Sequence, residues 1–565
     1  MKKKNIAMIM TMAMITSGVT APMEAVYASD EIQIQSEDVF ESENEDALGE
    51  SADVTEATED SFAESTESEA TDMLEAEEVE TTEDAEQSGD EEIEISEEDS
   101  DTEENVADVF SDGAEDVATH SSEVVEGGST DAGNAVYRLY ADGTLAIDGA
   151  GAFVSSKFRY DDRITSIQVS EGITDLGGSY SFAFWGCENL TTVSLPESLE
   201  NIGEMTFYEC KNLSTINIPS GVTSIGNSAF QSCKALRNIT IPDGVASIER
   251  YTFYDCSSLS DVNISAESKL TSIEQYSFEG CMSLESINIP SGVTDIGESA
   301  FSTCEKLTGI TIPSAVTQIK DGTFYGCKSL ESINIPSEVT SIGKSAFYNC
   351  EKLTDITIPS GITKIEDSTF EACKSLESIT IPSTVTSIGN EAFSDCESLS
   401  SIEIPSGVTS IGTYILSGCS NLRSATLPKD TKIVRQGMFS GCKRLMNITL
   451  PESVTVIEDN AFSSCSDLKE LVLPTGLTTI GKAAFSDVGL IDIDLPNGLQ
   501  SIGISAFNST NFTDIVLPDS VTDIGAYAFQ GCGKLESVTL PKNITELKDG
   551  TFQFCWNLKT ISLPA

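Results

Sequence analysis

A unit of 23 residues, LxxIxIPxxVxxIGxxAFxxCxx, recurs from about Ile164 to the end of the chain. Proline checks the register independently of the apolar pattern: apart from Pro22, all sixteen prolines, from Pro196 to Pro564, occupy one slot of the unit. In IPSGVTDIGESAFSTCEKLTGITIP (residues 289–313), the same Ile-Pro pair opens and closes the stretch, and Cys281 and Cys327 stand 23 residues to either side of Cys304. A fixed period of roughly 20–29 residues with Leu and Ile at constant offsets is the signature of a solenoid. One such coil has too few large apolar side chains to offset its own chain entropy, so it is stable only when stacked on its neighbours.

Within the unit, LxxIxI alternates apolar and polar residues. In LESINI (residues 330–335) this turns Ile333 and Ile335 inward and Ser332 and Asn334 outward along a short parallel strand. The proline that follows has no N–H to donate and closes the strand. VTSI, rich in β-branched residues, reads as a second short extended piece, and AFxxC as one helical turn that puts Phe and Cys on the same side. The expected fold is an α/β solenoid of about 17 coils, with a parallel sheet on the concave side and an irregular convex return. Three irregularities interrupt the period. SAESKL (residues 265–270) adds two residues where IPSGV would stand, whereas SDVGL (486–490) and STNF (509–512) each lose one and replace the cysteine by Val488 and Thr510.

All fifteen cysteines, Cys187 to Cys555, occupy the repeat slot, so in a solenoid they stack as an internal column. A catalytic thiol needs a base or a positive neighbour to lower its pKa, yet the only histidine, His120, lies outside the repeats. The same absence removes a Ser/His/Asp triad and histidine metal ligation from the repeat region. Zinc calls for paired cysteines in short knuckles, and no CxxC occurs. Disulfides between adjacent coils are open to export chemistry, but the count is odd, the side chains project in parallel and two coils manage without. The reading preferred is a small buried hydrophobe beside the Phe column. Phe184, Phe207, Phe230, Phe253, Phe301 and their equivalents fill that column in sixteen coils, with Leu416 in the seventeenth. The glycines of the IG slot have no phosphate-cradling spacing. No catalytic residue, cofactor or metal is therefore expected.

Charge divides the rest of the chain. Residues 1–28 combine Lys2, Lys3 and Lys4 with the apolar run IAMIMTMAMITSGV and a small-residue site at VYA, the layout of a secretory signal peptide. Between Glu24 and Asp131 stand 42 Asp and Glu and no Lys or Arg, out of a net charge of −61 for the chain. Residues 29–131 are accordingly expected to be a disordered acidic linker, and 132–163 a short β leader ahead of the solenoid at 164–565. A chain this acidic is a poor partner for nucleic acid, which is bound by neutralising phosphates.

The repeat, with its IP, IG, AF and C landmarks, closely resembles the BspA-like class of bacterial leucine-rich repeats, and YRLYADGTLAIDGAGAF (137–153) resembles the short β leader that often precedes them. The resemblance implies a right-handed leucine-rich-repeat superhelix. It also implies a secreted or cell-surface, non-enzymatic, adhesin-like protein of a Gram-positive bacterium, binding matrix proteins, glycans or other microbes. It carries over no catalytic residue. The end at LKTISLPA shows no wall-sorting signal, and the reading is that the sequence is a fragment or a released protein. The expected contact face is the concave one, with Ser286, Asn288, Thr311, Ser332, Asn334, Asp355, Thr357, Ser378 and Thr380 as candidates. The aromatics Trp185, Tyr208, Tyr254, Tyr325 and Tyr348 are alternative contacts. A repeat region of a larger surface enzyme and a passive spacer are the competing readings; a monomer without a membrane span is expected.

Overall fold

The computed structural model describes residues 122–130, 134–178 and 182–562, all within one compact unit spanning Gly113–Ala565. The expected signal peptide at 1–28 and most of the expected acidic linker at 29–131 lie outside the described residues.

Three hydrogen-bonded ladders run from coil to coil. The first is the expected LxxIxI sheet. Gly309 pairs with Ser332 and Ser332 with Asp355, each in parallel register one repeat apart. Ile310, Ile333 and Ile356 point inward and are buried, while Thr311, Asn334 and Thr357 point out. The second ladder is made of two-residue strands in the VxxI segment, such as Gln318–Ile319 beside Ser341–Ile342. Its isoleucines are buried as well.

The third ladder corrects the expected helical turn. Among the described residues there is no helix, so the fold is a β-solenoid rather than α/β. In the AFxxC segment two residues per coil adopt a left-handed backbone, for example Ser228 (φ 54°) and Ser232 (φ 58°). This alternation aims every second N–H at the next coil: Ser228 donates to Arg250 O at 2.9 Å, Phe230 to Thr252 O at 3.0 Å and Ser232 to Tyr254 O at 2.7 Å. The amides between them, on Ala229 and Gln231, close tight turns within the coil. A helical turn would direct these N–H groups along its own axis and leave the neighbouring coil unbonded. Cross-coil bonding therefore prevails over local helix here.

The N-terminal leader forms part of the first ladder. Strands β2 (Ala135–Tyr140) and β3 (Thr144–Gly149) are antiparallel, and β3 pairs in parallel with the strand Ser166–Val169 of the first regular coil. One more strand, β1 (Val124–Ser129), lies against β2 inside the segment expected to be disordered, so for these residues that expectation is corrected. Its anchor is ionic: Glu126 meets Lys157 at 2.5 Å and Arg163 at 2.8 Å, and Lys157 also donates to Tyr137 OH at 2.6 Å. Lys157, and then Arg163, hold the Glu126 carboxyl below its usual range. Gly127 and Gly128 follow, and a Cβ on Gly128 would sit 2.6 Å from the Tyr137 hydroxyl. Two basic side chains and two small residues thus order a stretch whose acidic composition argues for disorder.

The core is a phenylalanine column. Phe301, Phe324, Phe347 and Phe370 are fully buried, and successive ring centroids lie 5.9, 5.6 and 5.6 Å apart with nearly parallel planes. Leu416 takes the slot between Phe393 and Phe439. The glycine of the IG slot has its own reason. A Cβ on Gly343 would lie 2.5 Å from the Asp321 amide nitrogen of the coil before, too close for backbone against backbone. In four coils where Glu or Lys holds that slot, the alanine before Phe is threonine instead. Its hydroxyl donates to the slot residue's carbonyl, as Thr323 does to Lys320 O at 2.9 Å and Thr369 to Glu366 O at 2.8 Å.

Candidate functional site

The cysteines are the first groups to weigh, because a column of fifteen thiols would be the most reactive feature of the chain if it were accessible. Fourteen are buried and Cys555 is half-buried, and all are free thiols. Each Sγ faces a backbone carbonyl of the preceding coil; Cys304 Sγ lies 3.3 Å from Phe278 O and Cys327 Sγ 3.2 Å from Phe301 O. Burial pushes the Cys187 and Cys373 thiols up to about 12. A nucleophilic or metal-binding sulfur needs the thiolate, and burial suppresses it along the column except at Cys532, whose thiol is held down by its contact with the Cys555 sulfur. Thr510 instead donates within its own coil, to Phe507 O at 3.0 Å, while Val488 fills the slot with hydrocarbon alone.

Carboxylates give no alternative centre. Glu279 is half-buried and is pushed up to about 7, first by burial and then by the charge of Glu298. Among the described residues, no group of three or more His, Cys, Asp or Glu stands close enough to hold a metal ion.

The structure places all nine candidate contact residues on the outward face of the first ladder, and all are exposed. Two columns result. Ser332 and Asp355 are paired neighbours in one, Thr311 and Asn334 in the other, and Thr357 is bridged to Thr380. Ser286 and Asn288 extend the same columns, but their coil has no ladder pairing assigned to it. Among the described residues the side chains of the nine make no hydrogen bond to protein, so their donors and acceptors are open. They form a flat array and do not converge on a pocket. The aromatic alternatives are less available: Tyr208 is buried against Trp185 (ring centroids 5.1 Å), and Trp185, Tyr254 and Tyr348 are half-buried. Tyr325 alone among them is exposed, stacked on Tyr348 at 4.7 Å.

A concave site does occur on this ladder, three coils nearer the N-terminus than the start of the regular array, and sequence reasoning did not single it out. The outward residues of strands Thr215–Ile216, Asn238–Ile241 and Asp261–Ile264 floor a groove. Asn217, Thr240 and Asn263 lie along it, and Asp243 and Ser265 stand at one rim. A second depression at the opposite ends of the same strands is lined by Ser214, Thr215, Ala235, Arg237 and Ser258. Ser265 occupies the slot that proline holds in all the other coils after the first, and begins the two-residue insertion; its hydroxyl meets Asp243 at 2.5 Å. The insertion was legible as a bulge, but not what it does to the neighbouring surface.

A family model described as the BspA type leucine rich repeat region, built of six copies, matches residues 153–281, 263–377, 363–490 and 478–565. Similar solved structures include a leucine-rich repeat protein from Bacteroides ovatus (24% identity, covering 78% of this chain and 98% of that one, TM-score 0.42). Another is a leucine rich cell surface protein from Faecalibacterium prausnitzii (23%, 77% and 94%, TM-score 0.33). A third is a leucine-rich repeat protein from Eubacterium ventriosum (26%, 74% and 94%, TM-score 0.36). No curated protein matches the chain.

Proposed function

Since the chain belongs to the family of BspA-type leucine-rich-repeat proteins, we propose that it is a secreted, surface-exposed interaction protein. In this reading it is a non-enzymatic monomer that binds a protein or glycan on host or microbial surfaces through its first ladder. The observation that carries the reading is the separation of chemistry from surface. The thiol column is free and, but for the half-buried Cys555, buried, whereas the first ladder presents unengaged Ser, Thr, Asn and Asp side chains in successive coils. Such an array offers many weak hydrogen bonds to an extended partner, the way in which repeat proteins gain affinity from area. No described helix is long and apolar enough to cross a membrane.

The test is saturation binding of the purified full chain to an array of matrix proteins and glycans at physiological salt. Saturable binding that drops at least tenfold when Asn334 and Thr357 are both replaced by Arg is the expected result. A folded chain that binds nothing on the array would point to a passive spacer. Binding indifferent to the double substitution would move the contact off this part of the ladder.

A further inference from the structure

The groove over strands Thr215–Ile216, Asn238–Ile241 and Asp261–Ile264 and the second depression at the opposite ends of these strands each depart from the regular coils by a charged side chain, and the two charges are opposite. In the slot just before the strand, the coils from residue 285 to residue 400 carry Glu285, Thr308, Glu331, Thr354, Glu377 and Ser400; ahead of these three strands it holds Ser214, Arg237 and Ser260, so one cation enters a slot that is otherwise neutral or acidic. In the slot just after the proline, the same coils carry only serine, from Ser291 to Ser406; along the groove it holds Glu197, contributed by the coil before the three strands, then Ser220 and Asp243. Arg237 is exposed, and among the described residues its guanidinium makes no ion pair. The Asp243 carboxylate accepts one hydrogen bond, from the Ser265 hydroxyl, and the residue stands at the groove rim. Between the two charges the floor is amide and hydroxyl: Asn217, Thr240 and Asn263, all exposed.

We propose that this groove binds an extended peptide segment carrying one acidic and one basic side chain, laid along the strand direction with the acid over Arg237 and the base over Asp243 and Glu197. Charge complementarity selects this occupant. A sulfated or uronic glycan places anions along its whole length and meets two carboxylates at one rim, while a neutral glycan leaves the Arg237 guanidinium unmatched. A guanidinium also favours the planar, two-pronged acceptor that a carboxylate side chain provides. Arg237 and Asp243 are six residues apart along an extended strand, about 20 Å at ~3.3 Å per residue. Allowing for the reach of Glu and Lys side chains, the complementary residues of the partner stand about four to six positions apart. The insertion beginning at Ser265 holds the acidic rim in place, since Lys269 N donates to Asp243 O at 2.9 Å while the Ser265 hydroxyl fixes the carboxylate. The proposal deepens the surface-interaction reading and rests on it.

The experiment pans a random dodecapeptide library displayed on phage against the immobilised full chain, then measures the enriched sequences as synthetic peptides by fluorescence anisotropy. The expected result is enrichment of peptides with an acid and a base four to six residues apart. R237E or D243K should each weaken their binding at least tenfold, and panning on the double variant R237E/D243K should enrich peptides with the two charges in the reverse order. R423E, in the same slot eight coils away, should leave affinity unchanged, and melting temperatures equal to the parent's exclude loss of fold. No enrichment, enrichment without the charge pair, or affinity unmoved by the charge swap would overturn the proposal. If the matrix or glycan binding described above persists in R237E/D243K while these peptide results fail, the groove is refuted and the wider reading stands.

Discussion

The coils between residues 284 and 407 repeat without insertion or loss, while those around residues 261–270 and 486–512 do not, and the two kinds of region differ in only one of the three ladders. Past the two-residue insertion the second ladder runs on, Ser247–Ile248 to Ser272–Ile273 to Asp295–Ile296, and Phe253 stacks on Phe278 at 5.3 Å. Through the two short coils the second ladder again continues, from Thr479–Ile480 to Ser501–Ile502 to Asp523–Ile524. The Phe485, Phe507 and Phe529 rings keep 5.4 Å spacings there. The third ladder also holds, with Ala483 donating to Ile504 O at 2.8 Å and Ser505 to Ala526 O at 3.0 Å. What gives way is the first ladder, which has no strand at 470–472 and 491–495 beside the short coils or at 286–288 in the first coil after the insertion, and which within the regular stretch thins at 378–380 to the single Thr357–Thr380 bridge. The ladder that tolerates change is thus the one whose outward face is free to serve as a contact surface.

If the Phe column and the second and third ladders are the rigid part, the largest loss comes from opening that column in the regular region. Phe347→Ala removes a fully buried ring stacked on both Phe324 and Phe370. It should cost about 3–5 kcal/mol in urea-induced unfolding. Phe554→Ala, at a half-exposed ring, should cost under ~1 kcal/mol. Equal losses at the two sites would break the distinction between rigid column and yielding surface.

A smaller effect sharpens the role of the second turn. Gly343→Lys places a Cβ against the backbone at Asp321 and should destabilise by roughly 1–3 kcal/mol. Four of the six coils that already carry Lys or Glu in this slot pair it with threonine, so Ala346→Thr added to Gly343→Lys should recover about 1 kcal/mol, a coupling that a double-mutant cycle reads directly. Additive losses would show that the Thr hydroxyl does not support a substituted slot.

The sequence displays what depends on side-chain identity at a fixed offset. The period, the inward Ile333 and Ile335, the proline stop, and the Phe and Cys columns could all be read because each column demands one residue type. The third ladder could not be read this way. Its left-handed positions hold Ser228, Tyr251, Glu391, Tyr414 and Asp395 as readily as Gly322 or Gly418, so residue type carries no signal for the backbone; the demand is met by cross-coil hydrogen bonds that exist only once the stack has formed. Packing around these positions is equally non-local: the Tyr414 ring lies over Gly437 of the next coil, where a Cβ has no room. Strand β1 was hidden for a similar reason, since Lys157 and Arg163, which anchor Glu126, lie more than thirty residues further along the chain. The outward facing of the nine ladder residues was legible because alternation fixes facing. The groove was missed because Arg237, Asp243 and Ser265 are ordinary surface residues until three coils bring them together.

The smallest expected effect concerns the residue that looks most like chemistry. Cys304→Val imitates Val488, which keeps a short coil packed without any sulfur, and the change should move stability by less than ~1 kcal/mol. The sulfur contact it removes, to Phe278 O, is a weak one, and the column above and below remains filled. The complementary measurement is thiol titration of the native chain with a chromogenic disulfide. Cys555, the one half-buried cysteine, should react within minutes, and the fourteen buried thiols should react only as denaturant unfolds their coils. Several fast-reacting thiols in the native state, or a loss of several kcal/mol on Cys304→Val, would mean that the column does something packing does not explain. Silence from both shows why a residue can recur fifteen times in register without any chemistry: a slot between stacked phenylalanines requires a side chain of that size in every coil, and valine and threonine meet the requirement where cysteine is absent.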